Sequence, residues 1–345
     1  MKVNMELTEV KAELQRRYFQ SDPAINAVIR ALALKQNCIL YGPPGHAKSG
    51  IVETALKLYL GEVAFYQQVY QTNGGMEMPT EPFVGALDLK RYREDGTINY
   101  QLEHTIYMEK EYAILEEGLD APPYVLETMK QPLMSKVLCI NNVCSPVKLQ
   151  SMFICTNHNP VEWAGEVDSY KALLKRFPHR AHVKWSKYDI TTWDAYLTHL
   201  GRPDKLVAAM LEKCHQMNYP MAPREALAFQ DLIKFEGLSG VETFDDMHEK
   251  PEVYEELKKM MALVPFVKDL EEAESLALQA KFAFERNDPN FIAHLGKAKS
   301  ALENIKGIPT TGVYTDRMRN TAMNLAQLLK DHVQKVANAT EIPKL

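Results

Sequence analysis

Apolar residues recur at helical spacing over residues 8–35, and the pattern breaks at Ser21-Asp22-Pro23, where a cap and an early proline start a second helix through Ile25, Val28, Ile29 and Leu32. A short apolar run, Cys38-Ile39-Leu40-Tyr41, then stops at Gly42-Pro43-Pro44-Gly45, and the helical period resumes over 48–60. Strand, glycine turn and helix in that order predict an α/β phosphate-binding unit. Further strands are expected at 63–70, 112–115 and 152–156, with a helix over about 123–133. Residues 137–142 and 147–149 read as a β-hairpin turning at Cys144-Ser145-Pro146. Strands that alternate with helices predict a largely parallel sheet covered on both faces. Beyond about Thr191 only helical periodicity remains, over 204–216, 223–236, 251–263, 266–285, 290–305 and 315–337.

Composition narrows the class without changing that outline. A chain of 345 residues, 46% hydrophobic and 25% charged, is a globular protein of about two domains, not a disordered or fibrous one. Its 40 Lys and Arg against 45 Asp and Glu leave a net charge of −5, which argues against attachment to nucleic acid by bulk charge. The first nine residues mix acid and base, and no apolar stretch approaches the ~18 residues of a membrane span, so no membrane partner and a cytoplasmic location are expected. The five cysteines, Cys38, Cys139, Cys144, Cys155 and Cys214, are odd in number and lack paired metal-ligand spacing, so buried free thiols in reducing surroundings are expected.

The strongest chemical signal is Gly42-Pro43-Pro44-Gly45-His46-Ala47-Lys48-Ser49-Gly50, a phosphate-loop pattern in which Ala47 stands where a second fixed glycine is usual. Small residues let backbone N–H groups wrap a phosphate at a helix N-terminus, Lys48 neutralises the β- and γ-oxygens, and the Ser49 hydroxyl suits Mg²⁺. Ala47 fits if its φ is negative. His46, at a variable position of the loop, is expected to be exposed and without a catalytic part. Tyr112-Ala113-Ile114-Leu115-Glu116-Glu117 is an apolar run ending in two acids, with Glu116 for the metal and Glu117 as general base. Glu116 stands where an Asp is usual and is longer by one methylene.

Together these residues resemble the MoxR branch of the AAA+ ATPases, which includes the RavA chaperone-like ATPases and is related to chelatase subunits. The similarity runs through the Gly-Pro-Pro-Gly-x-Ala-Lys-Ser loop, Pro82-Phe83-Val84-Gly85-Ala86-Leu87-Asp88-Leu89, Leu115-Glu116-Glu117, Ala172-Leu173-Leu174-Lys175-Arg176-Phe177 and Ala222-Pro223-Arg224-Glu225-Ala226, in order over about residues 14–233. The resemblance implies a parallel αβα core over 1–193, with an insert at about 72–110 and a hairpin at about 137–149. It implies a helical lid over 194–264 and leaves a helical extension over 265–345. It implies Asn157 as sensor 1, with Asn159 as a substitute, Arg176 as a finger reaching a neighbouring subunit's γ-phosphate, and Arg224 as sensor 2. ATP and Mg²⁺, a hexameric ring and a partner protein with a von Willebrand factor A domain follow from the same resemblance.

A nucleic-acid motor, a chelatase motor subunit and a weakly active nucleotide-binding scaffold stand as alternatives. Lys90-Arg91-Tyr92-Arg93 reads as a solvated or intersubunit face. His158, His179 and His182 lack metal-ligand companions, and the acidic residues over 242–256 and 269–274 read as solvated helix faces.

Overall fold

The computed structural model describes residues 4–75, 78–96, 98, 100–140, 143–165, 168–236, 244, 250–262, 264–305 and 313–340. Residues 141–142 of the expected hairpin, and 242–243 and 245–249 of the acidic stretch, lie outside them. The chain forms two compact units, Met1–Asp231 and Leu232–Leu345.

In the first unit, α1 (Leu7–Arg17) and α2 (Asp22–Leu34) precede β1 (Cys38–Tyr41) and α3 (Lys48–Leu60). Next come α4 (Glu62–Gln68), β2 (Val69–Asn73) and the insert, made of α5 (Glu81–Val84), β3 (Ala86–Leu87), α6 (Leu89–Asp95), β4 (Tyr100–Gln101) and α7 (Ile106–Glu109). Then follow β5 (Tyr112–Glu116), α8 (Pro123–Ser135), β6 (Val137–Ile140), β7 (Val143–Pro146), β8 (Ser151–Thr156), α9 (Pro160–Gly165), α10 (Asp168–Leu174) and β9 (His179–His182). Helices α11 (Ile190–His199), α12 (Lys205–Gln216) and α13 (Pro223–Glu236) follow, α13 carrying the boundary between the units. The second unit holds α14 (Pro251–Ala262), α15 (Val264–Glu285), α16 (Phe291–Glu303) and α17 (Val313–Thr340).

The main sheet is parallel throughout, in the order β2-β5-β8-β1-β9. Strand alternation sorts its side chains between two cores. Cys38, Leu40, Ile114, Phe153 and Cys155 face α1 to α4, packing with Val10, Leu14, Ile25, Val28, Ile51, Val52 and Leu56. Ile39, Ala113, Leu115, Met152 and Ile154 face the other way, onto Val125, Leu126 and Met129 of α8 and onto Leu173 and Phe177. Burial on both faces is why these strands read as unbroken apolar runs instead of alternating ones. The loop after β1 emerges at the carboxyl end of the sheet, where open α/β sheets place their ligand sites. In the second unit α15, α16 and α17 close on a core of Leu270, Ala273, Ala280, Phe291, Leu295, Ala298, Leu302 and Leu325.

Three expectations are corrected. Residues 62–68 form a helix, and the strand begins only at Val69. Gly61 at φ 84° ends α3 and lets the chain start α4, which buries Phe65 while Val63 and Tyr66 face solvent. The hairpin pairs Val137–Ile140 with Val143–Pro146, so Cys144 and Pro146 lie in a strand and not in the turn. That register sets Cys139 opposite Cys144 at a Cα separation of 4.1 Å, and the two are joined as a disulfide. Cys38, Cys155 and Cys214 are the buried free thiols the sequence suggests.

Candidate nucleotide site

The loop between β1 and α3 is shaped by its own backbone. Gly42 has φ 145°, and a Cβ there would stand 2.3 Å from the Val183 carbonyl oxygen. Gly45 has φ 72°, and a Cβ there would stand 2.6 Å from Cβ of Ala222. Both positions require glycine for space as well as for dihedral freedom. Ala47 adopts the left-handed region at φ 60°, against the expected negative φ, and it does so as the residue that opens α3. The glycine usual at this position would hold that conformation without strain, whereas here a methyl group is forced into it.

Lys48 is almost wholly buried, and its ammonium donates to Gly42 O (2.9 Å), Pro43 O (2.8 Å) and Asn157 Oδ1 (2.8 Å). Burial lowers its pKa below the ordinary lysine value, and the nearby Glu117 charge opposes that shift. Asn157 in turn donates from Nδ2 to Glu117 Oε1 (3.0 Å) and from its backbone N–H to Glu117 Oε2 (3.2 Å). Lys48, Asn157 and Glu117 therefore form one hydrogen-bonded chain across the ends of β1, β8 and β5. Glu117 itself stands at φ 48°. Its carbonyl passes where Gly74 has no side chain: a Cβ at Gly74 would meet Glu117 O at 2.3 Å. Asn159 instead turns away to start α9, donating to Glu162 Oε1 (2.8 Å) and accepting from Val161 N (3.1 Å).

Glu116 ends β5 half-buried, one residue short of this chain, and accepts from Gln71 Nε2 at 2.9 Å. Cys155, its register partner on β8, has its thiol pKa raised by burial first and by the Glu116 charge second. The Ser49 hydroxyl and the Glu116 carboxylate are hard oxygen donors of the kind Mg²⁺ takes together with phosphate oxygens, so the residues fit that ion. Among the described residues no group of three or more His, Cys, Asp or Glu could hold a metal on protein ligands alone.

Arg224, in the first turn of α13, reaches the same loop, with its Cβ 3.7 Å from the point a Gly45 side chain would occupy. The Ala222 N–H donates to Glu225 Oε2 (2.7 Å), which fixes the entry to that helix. Arg17, Tyr18, Phe19, Gly45, His46, Trp185, Tyr196, Leu200, Pro223 and Arg224 are among the residues that line a cavity of about 240 Å³ beside the loop. Tyr18 also donates to Gly50 O (2.7 Å), clasping α1 to the start of α3.

Arg176 is not part of this assembly. Its backbone carbonyl accepts from Asn37 Nδ2 (2.8 Å), just before β1, so it sits at the end of the sheet opposite the loop. Its guanidinium holds the carbonyls of Lys130 and Ala172. Around it Lys35, Lys136, Lys171 and Lys175 line a basic cavity of about 720 Å³.

His46 corrects a further expectation. It is buried, 7% exposed, with Nδ1 2.9 Å from Pro44 O and Nε2 2.7 Å from the Tyr188 hydroxyl. Its partner lies 142 residues away, so no local signal marks the pair.

Residues 5–192, more than half of the chain, match the family described as the MoxR domain in the MoxR-vWA-beta-propeller ternary systems. The chain belongs to the MoxR family of AAA+ ATPases. No curated protein matches it. Solved structures similar to this MoxR chain include a candidate ATPase from Cytophaga hutchinsonii, 13% identical over 86% of this chain and 72% of that one, with a TM-score of 0.37. A point mutant of RuvB from Thermotoga maritima is 12% identical over 63% of this chain and 64% of its own, with a TM-score of 0.40. NtrX from Brucella abortus, in complex with ADP, is 12% identical over 69% of this chain and 54% of its own, with a TM-score of 0.41. Likenesses of that size add no argument to the site geometry. Among the described residues of this MoxR protein, no helix is long and apolar enough to cross a membrane.

Proposed function

We propose that this MoxR protein binds ATP with Mg²⁺ at residues 42–50 and hydrolyses it. The observation that carries the reading is the hydrogen-bonded chain from Lys48 through Asn157 to Glu117. In it the ammonium of Lys48 meets the β- and γ-oxygens, Asn157 orients a water, and the Glu117 carboxylate takes that water's proton. Arg224 adds a second cation at the loop, and Ser49 with Glu116 would hold the metal. Mg²⁺, when bound, neutralises charge between the phosphates.

We further propose that the protein works as a homo-oligomeric, RavA-like ring, a hexamer, in the ATP-rich cytoplasm. Arg176 of one copy faces the nucleotide of the next. The helices of 194–264 act as the lid and 265–345 as an extension beyond it. The ring remodels or activates a partner in a chaperone-like manner. The family description, which joins MoxR with vWA and β-propeller components, supports a partner with a von Willebrand factor A domain.

Purified protein with ATP and Mg²⁺ is expected to release phosphate. Lys48→Ala is expected to lose binding, and Glu117→Gln to keep binding while losing turnover by at least ~10²-fold. Turnover unchanged in Glu117→Gln would overturn the assignment, and stimulation by DNA or RNA but not by a vWA protein would overturn the chaperone-like role.

A further inference from the structure

His46 sits at the middle of the phosphate loop, and its side chain packs into a cluster of aromatic rings. Its Nδ1 is 2.9 Å from Pro44 O, and a carbonyl can only accept, so Nδ1 carries the hydrogen. Nε2 is then the acceptor, and the Tyr188 hydroxyl, 2.7 Å away, donates to it. Burial holds the imidazole pKa below its ordinary value and so favours this neutral form.

The ring stands edge-on to Trp185 (6.0 Å, 73°) and to Tyr188 (6.1 Å, 81°). Trp185 packs edge-on against Trp193 (5.0 Å) and Phe19 (5.4 Å), and Tyr188 stacks on His215 of α12 (5.0 Å, 29°). A single loop side chain thus joins the phosphate cradle to the end of α1 and to helices α11 and α12.

We propose that His46, held by Tyr188, is a positioning residue that fixes the loop's N–H groups in phosphate-binding geometry and ties them to the aromatic cluster. It touches no reacting atom. A loop that had to be ordered at the moment of binding would subtract that ordering from affinity, and a clamp made on folding removes the subtraction. The inference rests on the nucleotide-site reading above.

The test is a double-mutant cycle on the full chain with a fluorescent ATP analogue and Mg²⁺. Tyr188→Phe keeps the ring and deletes the hydroxyl that donates to Nε2, so affinity is expected to fall about fivefold, the loss of one neutral hydrogen bond at the loop. His46→Ala is expected to weaken binding at least as much. The double variant should bind no more weakly than His46→Ala, because the second change finds no link left to break. The melting temperature of Tyr188→Phe should fall by no more than about 2–4 °C, and affinity is measured well below it. A role confined to folding would lower that temperature and leave affinity unmoved. Wild-type affinity in Tyr188→Phe, or full additivity in the double variant, overturns the link alone. A wild-type chain that binds no nucleotide overturns the site reading itself, and the inference with it.

Discussion

Ala47, next to Lys48 in the chain, and Glu117, joined to Lys48 through Asn157, hold the left-handed backbone region, at φ 60° and φ 48°. For a residue with a Cβ that conformation costs about 1–2 kcal/mol, and strain of this kind persists where the surroundings over-determine it. Glu117 is over-determined by Gly74 beneath its carbonyl and by Asn157 on its carboxylate. At Ala47 a glycine relieves the strain, so Ala47→Gly is expected to stabilise the protein by about 1 kcal/mol, read as a raised urea midpoint at unchanged m-value. The loop itself was legible because Gly42, Gly45 and Lys48 answer local demands that consecutive dihedral angles impose. The burial of His46 was not, since it depends on Tyr188 and Trp185, far away in sequence, and the sign of φ at Ala47 was not, since alanine carries no local signal for the left-handed region.

Asp189 begins α11 directly after Tyr188. Its Oδ1 accepts from Thr191 Oγ1 (2.7 Å), Thr192 N (2.9 Å) and Thr192 Oγ1 (2.8 Å), and the first of these contributes most to lowering its pKa from 3.8 to about 2. A carboxyl whose pKa is depressed by folding adds stability above its unfolded pKa and loses it as pH falls through the folded one. Wild type is therefore expected to melt above Asp189→Ala at neutral pH, with the gap closing between about pH 4 and about pH 2, as followed by circular dichroism. Element types with strong periodicity, such as α2, α3 and α13, were legible for the same local reasons as this cap. Two others were not. Residues 62–68 carry Val63, Phe65 and Tyr66, which favour strands in isolation, but Gly61 and the burial of Phe65 alone select a helix. In the hairpin, Cys144-Ser145-Pro146 pairs as strand where the proline suggests a turn, and that register is what hid the pairing of Cys139 with Cys144.

At the scale of the molecule, the parallel sheet sets the loop at one end of β1 and Arg176 at the other, so the role proposed for Arg176 calls for a second chain. Arg176→Ala is expected to bind nucleotide like wild type and to lose about 10³-fold in hydrolysis. Mixing it with Lys48→Ala subunits should restore part of the activity, because some contacts then pair an intact loop with an intact arginine. No recovery on mixing, with both variants folded and assembled, would place Arg176 in a purely structural role at the carbonyls of Lys130 and Ala172. Under the role proposed for Arg176, the separation of loop and arginine also implies a stoichiometry. A contact that joins one end of a chain to the other end of the next is directional, and n chains in an open row complete n − 1 sites while leaving one loop and one arginine unanswered. A pair would carry one working site out of two. Only closure of the row makes the number of sites equal the number of chains, so activity per subunit should rise with assembly size until the ring shuts and then stay constant.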